Sequence, residues 1–281
     1  MQSVHGAYLL YKKKGSVFMI DLMDLHTHTL ACGHAYNTLY EMARSASEKG
    51  VPLFGSSDHA PAMPGSCHKY YFTNFRVIPR TLFGMPLLMG AELNITDFDG
   101  QVDLPQDILR KMDYAIASIH IQCIDRGTAA DYTRAYVGAI ENPLIHIIGH
   151  PDDSRLPADY DTLAAAAKEH HTLLEVNNSS LTPGSVRVGA ADNYAKLLER
   201  CAHYGTSIIM GSDAHSEADA GNHLHAIKFL EELQFPEELV ANTSLERAAS
   251  FIPSLAARLD DPLLRARAAA RETAACKEDA R

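Results

Sequence analysis

The sequence predicts an α/β fold in which parallel strands close into a barrel, regular or distorted, with helices outside. Three observations predict it. Seven short apolar, often β-branched runs recur along the chain. Helical patterns lie between most of them. The connections between the two kinds of segment are short, which implies parallel pairing through right-handed crossovers. Seven or eight such units within about 230 residues suit a barrel better than a doubly wound open sheet. A dinucleotide-binding sheet would need GxGxxG after its first strand, and the chain has none. The P-loop, GxSxG and HExxH patterns are also missing.

The expected strands are Leu22 to His26, Leu53 to Asp58, Leu87 to Leu93, Tyr114 to Ile119, Ile145 to Gly149, Thr172 to Asn177 and Ser207 to Ser212. Thr38 to Gly50 reads as a helix with Thr38 as N-cap, Glu41 three residues on, and Gly50 at its end. Asp131 to Glu141, Tyr160 to His171 and Asn193 to Gly205 are further helices. Ala60 to Pro79 and Asn94 to Pro105 read as long loops. Residues 1–20 form an N-terminal extension, 21–253 the main domain, and 254–281 a tail rich in Ala and Arg, a helix or frayed end with a solvated face.

With 46% apolar and 21% charged residues, the 281-residue chain can bury a core. Its formal charge of −10 argues against an extended nucleic-acid surface. No apolar run is long enough to span a bilayer, so no membrane partner is expected. Lys12 to Lys14 follow an apolar stretch instead of preceding one, which is the wrong order for a signal peptide, and Met19 is a candidate start. Five dispersed cysteines without CxxC read as free thiols of a cytoplasmic protein. Fifteen histidines and no tryptophan direct attention to metal.

The histidines and acids fall at strand ends. His26 and His28 end the first strand, and His34 follows. His59 ends the second, Glu92 lies on the third, and His120 and His150 end the fourth and fifth. Asp213 and His215 end the seventh. The carboxyl ends of a parallel barrel converge on one mouth. Residues i and i+2 of a strand point the same way, so His26 with His28, and Asp213 with His215, can each aim two donors into one site. Imidazole and carboxylate suit Zn²⁺, Mn²⁺ or Fe²⁺, and no cysteine belongs to the set. The second HxH pair, His223 and His225, reads as structural, as do His5, His146, His170, His171 and His203.

At these residues the sequence resembles the PHP family, named for polymerase and histidinol-phosphatase members. The motifs are Asp24-Leu25-His26-Thr27-His28, Ser57-Asp58-His59, Gly90-Ala91-Glu92, His120, Gly149-His150-Pro151 and Gly211-Ser212-Asp213-Ala214-His215. Leu53-Phe54, Glu175 to Ser180 and Asp192-Asn193 bring it nearest the small stand-alone bacterial phosphatases of that family. The resemblance implies a distorted seven-stranded, TIM-like (β/α) barrel over 21–253 that acts as a metal-dependent phosphoesterase domain with three divalent ions, zinc first and manganese or iron as alternatives. It assigns His26, His28, Glu92 and Asp213 to one ion, and His34, His59 and His215 to a second. Glu92, His120 and His150 go to a third, with Glu92 bridging.

Three such ions with Glu92 and Asp213 would leave about +4 at the mouth, which favours a small phosphomonoester substrate. Ions about 3.5–4 Å apart supply a bridging hydroxide for in-line attack on phosphorus. Arg76 and Arg187, with His68, are the expected phosphate-holding groups, because a guanidinium grips phosphate bidentately. Asp24, Asp58, Asn177 and Asn178 either orient ligands or terminate strands. The neighbouring thiols Cys32 and Cys67 have no assigned role. Histidinol-phosphate-type or nucleotide phosphoesterase activity, an amidohydrolase-type metal hydrolase and a non-enzymatic accessory module are the alternatives. A homo-oligomer is compatible with the sequence.

Overall fold

The computed structural model describes residues 19–279, so the expected N-terminal extension lies outside the described residues apart from Met19 and Ile20. Among the described residues there are eight strands: β1 (Met23–Asp24), β2 (Leu53–Ser56), β3 (Thr81–Leu82), β4 (Met85–Asn94), β5 (Tyr114–Ser118), β6 (Ile147–Ile148), β7 (Leu173–Asn177) and β8 (Ile208–Gly211). Seven of them pair in parallel in the order β1-β2-β4-β5-β6-β7-β8, and these are the seven runs expected from sequence. β3 is an unexpected antiparallel hairpin arm on β4. The helices are α1 (Leu39–Glu48), α2 (Tyr70–Thr73), α3 (Gln106–Leu109), α4 (Ala129–Ile140), α5 (Tyr160–Glu169), α6 (Ala190–Tyr204), α7 (Leu224–Glu232), α8 (Leu245–Phe251), α9 (Pro253–Ala256) and α10 (Pro262–Asp279). Thr38 and Glu41 form a reciprocal capping box on α1, and Thr128 and Asp131 form one on α4.

The sheet nearly closes. At the carboxyl ends of β8 and β1, Thr27 bridges Ala214, the His28 N–H donates to the Ala214 carbonyl (2.9 Å), and the Asp213 N–H donates to the His26 carbonyl (2.8 Å). At the amino ends the seam is filled by residues 240–242. Val240 bridges Ile208, and the Leu22 N–H donates to the Asn242 carbonyl (3.0 Å). The Asn242 amide donates to the Met23 and Met210 carbonyls (3.0 and 3.1 Å) and accepts the Met210 N–H (2.7 Å). One side chain thereby satisfies backbone groups that an eighth strand would otherwise pair.

Strand alternation sorts the residues into two layers. On β4, Leu87, Met89, Ala91 and Leu93 pack outward against the helices, while Leu88 joins the barrel interior with Leu53, Ile147, Leu173 and Ile209. Above them lies the Tyr114 ring, its hydroxyl donating to the Leu25 carbonyl (2.5 Å). A Cβ at Gly90 would sit 2.7 Å from that ring, so only glycine fits there. Tyr114 and its neighbours form an apolar floor under the next inward positions, Glu92 and Asn94.

The segment beyond Ser254 is helical, one of the two expected readings, and besides its solvated face it buries a few apolar residues. Leu255 and Leu264 are fully buried, and with Ile252 and Leu245 they seal the lower end of the barrel against Leu22 and Leu53. Arg258 donates to the Leu87 and Arg80 carbonyls (2.8 and 3.0 Å), and Arg267 to the Val51 carbonyl (2.8 Å). Each arginine satisfies carbonyls at or beside the amino ends of strands.

Candidate metal centre

All nine ligand-type residues meet at the upper mouth. Glu92 stands at the centre, completely buried. Its Oε2 faces His59 Nδ1 (2.7 Å), His26 Nε2 (3.4 Å) and His28 Nε2 (3.5 Å). Its Oε1 faces His150 Nε2 (2.7 Å) and His120 Nε2 (3.3 Å). Asp213 Oδ1 lies 3.1 Å from His28 Nε2 and 3.7 Å from His26 Nε2. At the outer side, His34 Nε2 and His215 Nε2 are 2.9 Å apart.

These spacings fit metal ions. Bonds of about 2.1 Å in a tetrahedron separate donors by about 3.4 Å, which is the range among His26, His28, Glu92 and Asp213. Moreover, His26 Nε2, both His28 nitrogens, His59 Nδ1, His150 Nδ1 and Glu92 Oε2 are buried with no hydrogen-bond partner. Of these, His26 Nε2, His28 Nε2 and His59 Nδ1 face Glu92 Oε2, and buried polar groups left without partners in this way are costly unless a cation satisfies them.

The electrostatics agree. Burial pushes the Glu92 and Asp213 carboxyls up, but the surrounding imidazoles outweigh it and hold both well below the usual carboxylate range. His26 is driven well above its ordinary value, since Glu175, Glu92 and Asp213 overcome the effect of burial. His28 is driven well below, by burial and then by His59 and His215. Burial also lowers His120 to about 4. The two carboxylates therefore stay ionised inside a buried ring of imidazoles, an environment that favours positive charge.

Local folding sets these positions. His150 (φ 30°) and Asp213 (φ 54°) adopt left-handed backbone just past strand ends, a local strain at two of the ligand-type residues. Asp58 accepts the Thr29 N–H and hydroxyl (2.6 and 2.8 Å) and the Tyr71 hydroxyl (2.7 Å), fixing the chain after His28. Asp24 accepts the Ser212 and Gly221 N–H groups (3.2 and 2.7 Å). His223 lies between Asp21 (2.8 Å) and Asp24 (3.3 Å). Burial opposes its charge, but the two carboxylates raise it to about 10, so its structural reading holds. Asn178 accepts the His225 and Ala226 N–H groups at the start of α7, whereas Asn177 donates to Asp213 (3.1 Å).

A cleft of about 770 Å³ opens above the centre, its lining including His34, His120 and His215 together with Arg155, Val186 and Arg187. Arg187 is mostly buried and lies 3.7 Å from Asp152 and 3.9 Å from Asp213. Arg76 and His68 are exposed and do not line the cleft. His68 instead accepts the Tyr70 N–H and packs edge-on against the Tyr70 ring.

Three contributors escaped the sequence reading. Glu175 accepts from His26 Nδ1 (2.6 Å) and from the His150 N–H (2.8 Å). Asn94 Oδ1 accepts from His120 Nδ1 (2.8 Å). Asp152 is buried behind Arg187 with neither carboxylate oxygen hydrogen-bonded. The signal for Glu175 was present: an acid two residues before Asn177 on a buried strand shares that residue's inward face.

Comparison with known proteins agrees with this geometry. Residues 24–182 match the PHP domain family. A protein of Caldicellulosiruptor bescii named "Probable phosphatase" is 45% identical over 230 residues, covering 82% of this chain and 95% of its own length. One of the same name from Acetivibrio thermocellus is 40% identical over 231 residues, covering 82% of this chain and 95% of its own. In fold, the chain is similar to the histidinol phosphate phosphatase of Lactococcus lactis, solved with zinc, L-histidinol and phosphate (TM-score 0.54, 15% identity, 77% of this chain and 95% of that one). On the match across most of the barrel and the extent of identity to its curated relatives, this chain belongs to the PHP domain family.

Proposed function

We propose that this PHP-family phosphatase hydrolyses small phosphomonoesters at a centre of three divalent ions, zinc first, with manganese or iron as alternatives. The observation that carries the reading is Glu92: each carboxylate oxygen faces its own group of imidazole nitrogens, as a bridging ligand requires. His26, His28, Glu92 and Asp213 would hold one ion, His34, His59 and His215 a second, and Glu92, His120 and His150 a third. Bound there, divalent ions would supply a hydroxide nucleophile at neutral pH and Lewis-acid stabilisation of the phosphoryl oxygens.

The chain's own residues do the rest. Glu175 fixes the tautomer of His26 by accepting from Nδ1, which leaves Nε2 free to ligate. Asn94 does the same for His120. Arg187, beside Asp213 at the cleft wall, would bind phosphate oxygens, while Arg76 and His68 do not line the cleft. The cleft volume suits a small phosphorylated molecule. Family membership removes the amidohydrolase alternative. The Lactococcus lactis protein holds L-histidinol and phosphate, so histidinol phosphate belongs in a substrate screen beside nucleotides and aryl phosphates.

The test is phosphate release from such a panel by metal-stripped protein reloaded with Zn²⁺, Mn²⁺ or Fe²⁺. Hydrolysis with at least one ion is expected. Silence with all three, across the panel, would contradict the reading and favour a binding role.

A further inference from the structure

Cys32 ends a 3₁₀ turn, Leu30–Cys32, that hangs directly on the first HxH motif. The turn is held at both ends. Thr29, its N-cap, is fixed by Asp58, and Gly33 follows in left-handed backbone (φ 83°), packed so closely on the Gly65 backbone that a side chain has no room. The result is a fully buried thiol that belongs to neither of the two apolar clusters. Its sulfur is 3.9 Å from His34 Nδ1. It lies within 4.8 Å of a ring nitrogen of both His34 and His215, and in a second grouping within 4.8 Å of His28 and Asp58. His28 is itself buried with both ring nitrogens unpartnered. Cys201 provides the contrast: equally buried, it belongs to the apolar layer between α6 and the sheet.

Sulfur surrounded by three imidazoles and a carboxylate has the makings of a soft ligand. We propose that the Cys32 sulfur is a further donor to the ion at the His34–His215 corner, so that this centre selects a thiophilic ion, zinc or ferrous iron, over manganese or magnesium. The proposal rests on the metal-centre reading above. On coordination a sulfur–metal bond forms and the S–H proton passes to solvent, and no electron is transferred. In a tetrahedron, Zn–S bonds of about 2.3 Å and Zn–N bonds of about 2.1 Å separate the donors by about 3.6 Å, so the 3.9 Å between the Cys32 sulfur and His34 Nδ1 is within a few tenths of an ångström of that geometry, with His34 ligating through Nδ1.

Cobalt(II) tests this in the full chain. After chelator treatment, the cobalt-loaded protein should show visible d–d bands and a near-ultraviolet sulfur-to-cobalt charge-transfer band. Cys32→Ser should keep the first and lose the second, and should take up more manganese when zinc and manganese compete. Cys67→Ser and Cys123→Ser should keep both features. A sulfur band missing from the unsubstituted protein, or surviving in Cys32→Ser, overturns the assignment while d–d bands leave the metal centre standing. Absence of d–d bands overturns both. Should Cys32→Ser not fold, the Cys67→Ser/Cys123→Ser double variant decides: a retained sulfur band supports Cys32, and a lost one overturns it.

Discussion

Replacing Glu92 with alanine should release more than one equivalent of metal, because both of its oxygens face imidazole groups. Elemental analysis checks this, and loss of one ion or none contradicts the bridging role. Activity should fall by at least about a hundredfold. Glu175→Gln keeps the shape but removes the charge that sets the His26 tautomer; metal affinity or activity should fall about 10–100-fold, read by zinc titration. At this scale the sequence was informative about donors and poor about their supports. The nine clustered ligand-type residues could be found because imidazole and carboxylate at successive strand ends have one ready explanation. Asn94 and Asp152 could not, since an amide that orients a ring and an acid that backs an arginine look like any polar residue near a strand end. Arg76 and His68 were misplaced for a related reason: a long loop does not reveal which side chains it turns inward.

The seven parallel strands were visible as apolar runs, although β1 and β6 pair over two residues each, shorter than their runs suggested. α2 was hidden inside the stretch read as a loop, and the β3 hairpin arm just beyond it went unread, because elements of two to four residues carry no periodicity. Gly211 of β8 shows how an element serves the site. A Cβ there would overlap Glu175 Oε1 and lie 2.7 Å from His26 Cβ. Gly211→Ala should therefore cost about 1–3 kcal/mol of stability and lower zinc affinity, measured by denaturant unfolding and titration. The loop after β8 is pinned to β1 through His223. Its folded value of about 10 lies above the ordinary 6.5, so the pair stabilises fully below about pH 6.5, and that stability is lost as pH rises through about 10. The melting temperature should fall between pH 7 and pH 10.5, and fall less in His223→Gln. An equal decline in both would contradict the pairing.

At the scale of the molecule, the described barrel is sealed below by α8–α10 and opens above on the candidate metal centre. The lower seal was illegible in the sequence, where an Ala- and Arg-rich stretch reads as solvated; its few apolar residues and its carbonyl-binding arginines do the sealing. Leu264→Ala should cost about 2–5 kcal/mol by denaturant unfolding, with metal content unchanged, because the floor of leucines and Tyr114 separates that seal from the site. Among the described residues no helix is long and apolar enough to cross a membrane. The central claim is that one mouth gathers nine donors into a three-ion hydrolytic centre. Elemental analysis of protein purified without chelator tests it most directly: about three equivalents of divalent metal per chain are predicted, and one equivalent or less would contradict the account.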